Sequence, residues 1–165
     1  MQVFLIRHAD AVPETPALAD PQRPLSELGR AQARAIADRL RWHDCTPSQI
    51  WSSPLARARE TAELIARGVS SELAVDPIPA LAPGDDPHAV IAALHALPRD
   101  AIVMLVGHGP SLAKVGARLT RQPPLAVLGR AEAVRIVDGA VRWRFAWDAE
   151  APDIDEIGRD RRRDR

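Results

Sequence analysis

The stretch that decides the fold is MQVFLIRHAD, residues 1–10. Its apolar run VFLI is uninterrupted rather than alternating, which is typical of a strand buried on both faces of a parallel sheet. The run stops at Arg7 and His8, so these residues are expected at the carboxyl end of a central strand. A second uninterrupted run at 101–106 is followed in the same way by His108. The two runs together predict the centre of a parallel sheet.

The segments between these runs carry helix signals. Ser26 is a suitable N-cap for a helix that runs to about Trp42. The apolar residues assigned to the buried half of this helix are Leu28, Ala31, Ala35, Ile36 and Leu40. Proline favours the first position of a helix, so further helices are predicted to begin at Pro54, Pro87 and Pro110. Ser53 is the predicted N-cap of the first of these helices, and Asp86 precedes the second.

Shorter patterns complete the secondary structure. Short strands are predicted at 49–52 and 73–75, and two alternating runs follow at 133–137 and 141–147. An Asp-Gly pair separates the alternating runs and indicates a hairpin. Strand and helix therefore alternate four times before the hairpin. This order predicts a three-layer α/β/α fold with a mostly parallel central sheet and an antiparallel edge hairpin.

Ligands of such sheets bind beyond the carboxyl ends of the strands, so His8 and His108 are expected on one rim. Arg7 directly precedes the first histidine, and Arg57 lies in the first turn of the second predicted helix. Guanidinium groups, imidazoles and helix N-termini favour a phosphate or another compact oxyanion. A metal site is the weaker alternative: two histidines are a poor ligand set, and Asp10 is the candidate that could extend it.

Composition narrows the possible classes of protein. The 165 residues are 46% apolar and 27% charged, which predicts one domain. The run of charges at 158–165 predicts a disordered tail, so the domain is assigned to 1–157. The 22 basic and 22 acidic residues balance, which argues against a general nucleic-acid binder. The N-terminus is not a signal peptide and no segment is long enough to cross a bilayer, so we expect a cytoplasmic protein without a membrane partner.

Three motifs carry a resemblance to a known family. Arg7-His8, SSPLARARET at 52–61 and VGHGPSL at 106–112 together resemble the histidine phosphatase superfamily, which is also called phosphoglycerate mutase-like. The opening MQVFLIRHADAV, the block RPLSELG at 23–29 and the ending FAWDAEAP are similar to its small bacterial branch of phosphohistidine phosphatases. The resemblance covers nearly the whole chain and implies a phosphoglycerate mutase-like fold.

The resemblance also implies roles for individual residues. His8 would be the nucleophile of a metal-independent phosphatase that needs no cofactor and forms a phosphohistidine intermediate, and His108 would complete the pocket. Arg7 and Arg57 would hold the phosphoryl oxygens, and Arg23 is a candidate substrate contact. The implied substrate is a phosphohistidine on a protein, for example a phosphotransfer domain.

Two departures from the family pattern bear on the chemistry. Ala9 stands where the family usually has glycine, and the loop LAPGDDP lacks the glutamate acid of many members. Asp85 is a candidate acid in that loop, whereas Asp86 fits a helix N-cap. A phosphorylated imidazole can be protonated on its own ring, which favours a phosphoramidate substrate. A small-molecule phosphatase or mutase of the same superfamily and a non-catalytic phosphate-binding protein stay open as alternatives.

Overall fold

The structure, a computed structural model, describes residues 1–43, 45–69, 72–84, 86–123 and 125–149. The strands are β1 (Gln2–Arg7), β2 (Gln49–Ser52), β3 (Val75–Pro77), β4 (Ile102–Gly107), β5 (Glu132–Val137) and β6 (Ala140–Ala146). The helices are α1 (Glu27–Trp42), α2 (Ala56–Gly68), α3 (Pro87–His95) and α4 (Gly109–Thr120). Two short 3-10 turns lie at Asp20–Gln22 and Pro79–Leu81.

All strands in the described part of the chain join one six-stranded sheet in the order β3-β2-β4-β1-β5-β6. The pairs β3–β2, β2–β4 and β4–β1 are parallel, whereas β1–β5 and β5–β6 are antiparallel. This arrangement confirms the prediction of a mostly parallel sheet with an antiparallel edge hairpin. The pairing of β1 with β4 aligns Arg7 with Gly107, so the residues that follow the two strands lie side by side.

The apolar run of β1 is explained by helices on both faces of the sheet. Phe4 and Ile6 are fully buried in the core on the side of α1 and α2. Val3 and Leu5 point to the opposite core, which α3 and α4 cover. Full burial of such side chains stabilises the fold by about 1.5–3 kcal/mol each. Both faces of β1 are therefore apolar, as the uninterrupted run predicts.

Helix α1 forms where the sequence predicts it, with Ser26 accepting the N–H of Gly29. Of the residues predicted to be buried, Ile36 and Leu40 are buried, whereas Leu28, Ala31 and Ala35 are not. Leu28 is 52% exposed. The residues that point inward are Gly29, Gln32, Ala33, Ile36, Ala37 and Leu40. A Cβ on Gly29 would lie 1.9 Å from the carbonyl oxygen of Asp10, and one on Gly68 would lie 2.4 Å from Cβ of Ala37. Close backbone packing, rather than side-chain size, therefore sets the orientation of this helix.

Two boundaries also differ from the prediction. Helix α2 begins at Ala56 with Leu55 as its N-cap residue, because the Ser53 hydroxyl accepts the N–H of Leu55 at 3.3 Å and pairs with a histidine instead of capping a helix. Strand β3 lies at Val75–Pro77 rather than 73–75. The predicted cap of α3 is confirmed, since Asp86 accepts the N–H of His88 at 2.9 Å.

Two predictions concern residues that the structure does not describe. The charged tail at 158–165 and the candidate acid Asp85 both lie outside the described residues. Within the residues that are described, no helix has the length and apolar character needed to cross a membrane.

Candidate active site

His8 and His108 follow the adjacent strands β1 and β4 and lie together at the carboxyl rim of the sheet. Their ring centroids are 5.0 Å apart and the rings are inclined at 62°. The backbone N–H of His8 donates to the carbonyl of Gly107 at 2.9 Å, which extends the strand pairing to the first histidine. Both imidazoles are buried, with 8% and 6% exposure.

The hydrogen bonds of His8 define which ring nitrogen carries the proton. Nδ1 lies 2.7 Å from the carbonyl oxygen of Ala9. A carbonyl oxygen accepts and does not donate, so Nδ1 holds the hydrogen and Nε2 keeps a lone pair in the neutral ring. The Nε–H of Arg57 points at Nε2 at 3.3 Å, which fits an unprotonated nitrogen. Nε2 of His8 is therefore unprotonated, and its lone pair accepts the N–H of Arg57.

The surroundings of His8 keep the ring neutral. Burial, followed by the positive charges of Arg57, Arg7 and Arg130, lowers the pKa of His8 to about 4, although the hydrogen bond to Ala9 opposes the shift. A nucleophilic imidazole must be unprotonated at the attacking atom. His8 meets this condition well below neutral pH.

His108 is neutral for related reasons. Burial lowers its pKa to about 3, and the neighbouring His8 and Arg57 act in the same direction. Its Nε2 pairs with the hydroxyl of Ser53 at 3.0 Å. Ser53 is itself anchored to β4, because its backbone N–H donates to the carbonyl of Val106 at 2.8 Å. This serine fixes the orientation of the second histidine, a role that the sequence analysis did not assign to it.

Arg57 is buried in the first turn of α2 and connects His8 with a carboxylate that the sequence analysis missed. Its Nη1 donates to the main-chain carbonyl of Asp20 at 2.9 Å, and its Nη2 donates to Oδ2 of Asp20 at 3.1 Å. A guanidinium has five N–H donors, and three are directed at His8 and Asp20. The other two N–H groups of Arg57 have no hydrogen-bond partner among the described residues, and they could bind an oxyanion.

Arg7 has one hydrogen-bonded donor and one buried donor without a partner among the described residues. Its Nη1 donates to the carbonyl of Leu128 at 2.7 Å. Its Nε is buried and finds no hydrogen-bond partner among the residues that the structure describes. An unpaired buried N–H costs about 1–3 kcal/mol, more when it is charged, so it is normally satisfied by a ligand or by water. Arg7 is therefore a candidate anion-binding residue.

The loop that receives Arg7 is held from the edge hairpin. Arg144 on β6 donates to the carbonyls of Ala126 and Val127 at 3.0 and 3.2 Å, and forms an ion pair with Glu132. Glu132 also accepts the backbone N–H of Gly129 at 2.5 Å. These contacts fix both sides of Leu128, whose carbonyl binds Arg7. We call this group of contacts the Arg144–Glu132 clamp.

The segment after His8 explains two other sequence features. The backbone N–H of Ala9 donates to the Thr61 hydroxyl at 3.1 Å, and Thr61 donates to the carbonyl of Arg57 at 2.7 Å. Ala9 is absent from the residues with positive φ, so a side chain replaces the usual glycine without strain.

Asp10, the candidate for a metal site, accepts from Ser26 at 2.6 Å and is also paired with Arg130. No group of three metal-ligating side chains occurs in the described part of the chain.

The other sequence candidates have different positions. Arg23 contacts neither histidine; it donates through Nε to Asp20 at 2.9 Å and through Nη1 to the carbonyl of Val12 at 2.9 Å. Asp85 lies outside the described residues. Asp20 could have been suspected from its position three residues before Arg23, a spacing at which opposite charges often meet.

Comparison with known proteins gives a consistent picture. Residues 3–82 match the model of the histidine phosphatase superfamily, branch 1. The chain is similar to the phosphohistidine phosphatase SixA of Escherichia coli K12, with 28% identity over 153 residues that cover 88% of this chain and 94% of SixA. It also superimposes on the structure of the protein histidine phosphatase SixA complexed with tungstate, with a TM-score of 0.80, 25% identity, and coverage of 89% and 97% of the two chains.

A second, shorter match is also to a phosphatase. Over 68 residues the chain is 47% identical to a 5''-phosphoribostamycin phosphatase of Niallia circulans, covering 38% of this chain and 32% of that enzyme.

Proposed function

Because the chain belongs to the histidine phosphatase superfamily, we propose that it is a phosphatase that transfers a phosphoryl group to His8 and then to water. The observation that carries this proposal is the bare Nε2 of His8, held between arginines in a pocket that keeps the ring neutral. A protein that merely binds phosphate has no need of such a nitrogen. We assign residues 1–157 to one histidine phosphatase domain.

The first step is an in-line displacement at phosphorus. Nε2 of His8 attacks, a nitrogen–phosphorus bond forms, and the bond from phosphorus to the leaving atom breaks. The leaving atom keeps the bonding electron pair. The N–H donors of Arg7 and Arg57 stabilise the charge that spreads over the equatorial oxygens, which is where such donors act most strongly. Guanidinium groups thus supply the charge stabilisation, without a metal ion.

The second step regenerates the enzyme. A water oxygen attacks the phosphorus, the nitrogen–phosphorus bond breaks, and its electron pair returns to Nε2 of His8. One water proton stays on the phosphate and the other passes to solvent. His108, 5.0 Å from His8 between ring centroids, would contact the transferred group in both steps.

The substrate that we propose is a phosphohistidine on a protein, such as a phosphotransfer domain. The similarity to SixA over nearly the whole chain supports this class. A phosphoimidazole leaving group also needs little help from an enzyme acid, because its second ring nitrogen can carry a proton. The second candidate is a small phosphoester, and the local similarity to the phosphoribostamycin phosphatase favours it.

Turnover of a substrate panel tests the function. The panel contains a phosphohistidine protein, a sugar phosphate and phosphoglycerate, each assayed with wild type, His8→Ala and His95→Ala. His95 is an exposed histidine at the end of α3, so its variant is the matched control. We expect His8→Ala to lose activity by orders of magnitude and His95→Ala to retain it. Most activity remaining in His8→Ala would remove the nucleophile, and a sugar phosphate far exceeding phosphohistidine would favour the second candidate.

A further inference from the structure

A partly exposed carboxylate pairs with the buried Arg57 of the candidate site. Asp20, at the start of a 3-10 turn, accepts from Arg57 through Oδ2 at 3.1 Å and from Arg23 through Oδ1 at 2.9 Å. The Asp20 side chain is 40% exposed, whereas the Arg57 side chain is 6% exposed. The carboxylate therefore stands between solvent and the buried guanidinium. Arg57 is also the group that contacts the bare nitrogen of His8 at 3.3 Å.

The charge of Asp20 acts on the interior of the pocket. Hydrogen bonds from Arg23 and Arg57 lower the pKa of Asp20, although burial opposes this, so the carboxylate is ionised at neutral pH. Its charge raises the pKa of His108 against the larger effect of burial. The negative charge of Asp20 therefore acts on His108 at this rim.

We propose that Asp20 is a specificity-determining residue, which favours substrates whose leaving group can carry positive charge and disfavours phosphoesters with a second anionic group. This inference rests on the proposed function, since it concerns the substrate of the same site. The favoured class is an N-phosphorylated imidazole. Phosphates that also carry a carboxylate, such as phosphoglycerate, are the disfavoured class.

The chemistry of the leaving group explains the preference. In a phosphoimidazole the nitrogen bonded to phosphorus keeps the electron pair when the bond breaks and the phosphoryl group passes to Nε2 of His8. If the other ring nitrogen is protonated, the ring carries a positive charge before the step and leaves as neutral imidazole. Asp20 stabilises the bound cation and so favours the reactive protonation state. The same carboxylate repels a second anionic group.

The pairing with Arg57 adds a second effect. Asp20 neutralises part of the charge of Arg57, so the pocket attracts a simple anion less strongly than its arginines alone would. A substrate that brings positive charge to the rim recovers this loss by contact with Asp20. We expect about a tenfold effect on each substrate class, which corresponds to about 1.4 kcal/mol.

Asp20→Asn tests the inference because it keeps an oxygen acceptor for Arg57 and removes the charge. Asp38→Asn is the matched control, since Asp38 also pairs with an arginine three residues away but is exposed on α1. We expect Asp20→Asn to lower kcat/KM about tenfold for a phosphohistidine peptide and to raise it about tenfold for phosphoglycerate, both relative to phenyl phosphate. An equal change for all three substrates, or the same shift in Asp38→Asn, would overturn the inference.

Binding of inorganic phosphate separates this inference from the proposed function. Titration calorimetry on the full chain should show about tenfold tighter binding in Asp20→Asn than in wild type, with Asp38→Asn unchanged. Unaltered binding in Asp20→Asn would overturn the role of Asp20. Tighter binding combined with no turnover of any panel substrate by wild type would support the effect of Asp20 on anion binding and overturn the proposed phosphatase.

Discussion

Acidification should inactivate the protein at a pH well below the ordinary range of histidine titration. The proposed mechanism requires the neutral ring of His8, and burial together with Arg57, Arg7 and Arg130 lowers its pKa from 6.5 to about 4. The kcat/KM profile reports the groups of the free enzyme, so the limb due to His8 is expected near pH 4. An unperturbed histidine would produce this limb near pH 6.5.

The size of the effect follows from the same interval. Each pH unit between the two pKa values, 6.5 and about 4, corresponds to about 1.36 kcal/mol, so the environment of His8 disfavours the protonated ring by roughly 3–4 kcal/mol. The direction of the change in folding stability follows from the lowered pKa of His8. As the pH falls below 6.5, the unfolded chain protonates His8 before the folded protein does. The folded state is therefore most stable above pH 6.5, and it loses stability until the pH reaches about 4.

Nuclear magnetic resonance titration of the His8 ring is the appropriate assay, because the ionisation of a phosphate substrate does not enter it. The expected midpoint is near pH 4, with the acid limb of kcat/KM at the same position. Chemical denaturation at pH 7 and pH 5 should show lower stability at pH 5. A His8 midpoint near 6.5 would refute the argument that burial and arginine charge keep the nucleophile neutral.

Three further substitutions probe the site and its support. Arg57→Gln should reduce kcat/KM by about 10²–10³, because it removes N–H donors from the phosphoryl oxygens. Steady-state kinetics measures this loss, and a loss of less than about tenfold would contradict the role of Arg57. Arg144→Met should lower kcat about tenfold with an unchanged circular dichroism spectrum, because it opens the Arg144–Glu132 clamp. The adjacent exposed Arg142→Met is its control, and equal losses in both would refute the clamp's role. Gly29→Ala should destabilise the fold by about 1–3 kcal/mol, since the new Cβ would lie 1.9 Å from the Asp10 carbonyl; an unchanged melting temperature would contradict this packing.

The central strands were predictable because burial on both faces leaves a direct mark on the sequence. The run VFLI before Arg7 contains no polar residue, and it forms the centre of β1 between two hydrophobic cores. Parallel pairing then brings together residues that follow different strands. His8 and His108 are adjacent because of the sheet topology, although they lie far apart in the sequence.

The buried face of α1 was predicted only in part, for a physical reason. Ile36 and Leu40 are buried as predicted, but Leu28 is exposed and Gly29 points inward. The helix lies so close to the Asp10 carbonyl that no side chain fits between them. A hydrophobicity pattern contains no information about such close approach, because glycine and alanine contribute little to it.

The supporting contacts of the site were beyond sequence reasoning because they cross between distant loops. Asp20 meets Arg57 through a turn whose path depends on tertiary packing, although its spacing to Arg23 was visible. The clamp from Arg144 to Glu132 depends on the register of the hairpin and on the shape of the following loop. Local patterns predict which residues reach the rim but not how they are held there.

Trapping of the phosphorylated protein tests the central claim most directly. The chain is mixed with a labelled phosphoryl donor, quenched in alkali, digested and examined by mass spectrometry. The label should be stable in base, labile in acid and located on His8, and it should be absent from His8→Ala but present in His95→Ala. Turnover of the donor with no label on His8, or with a label on another residue, would contradict the proposed mechanism.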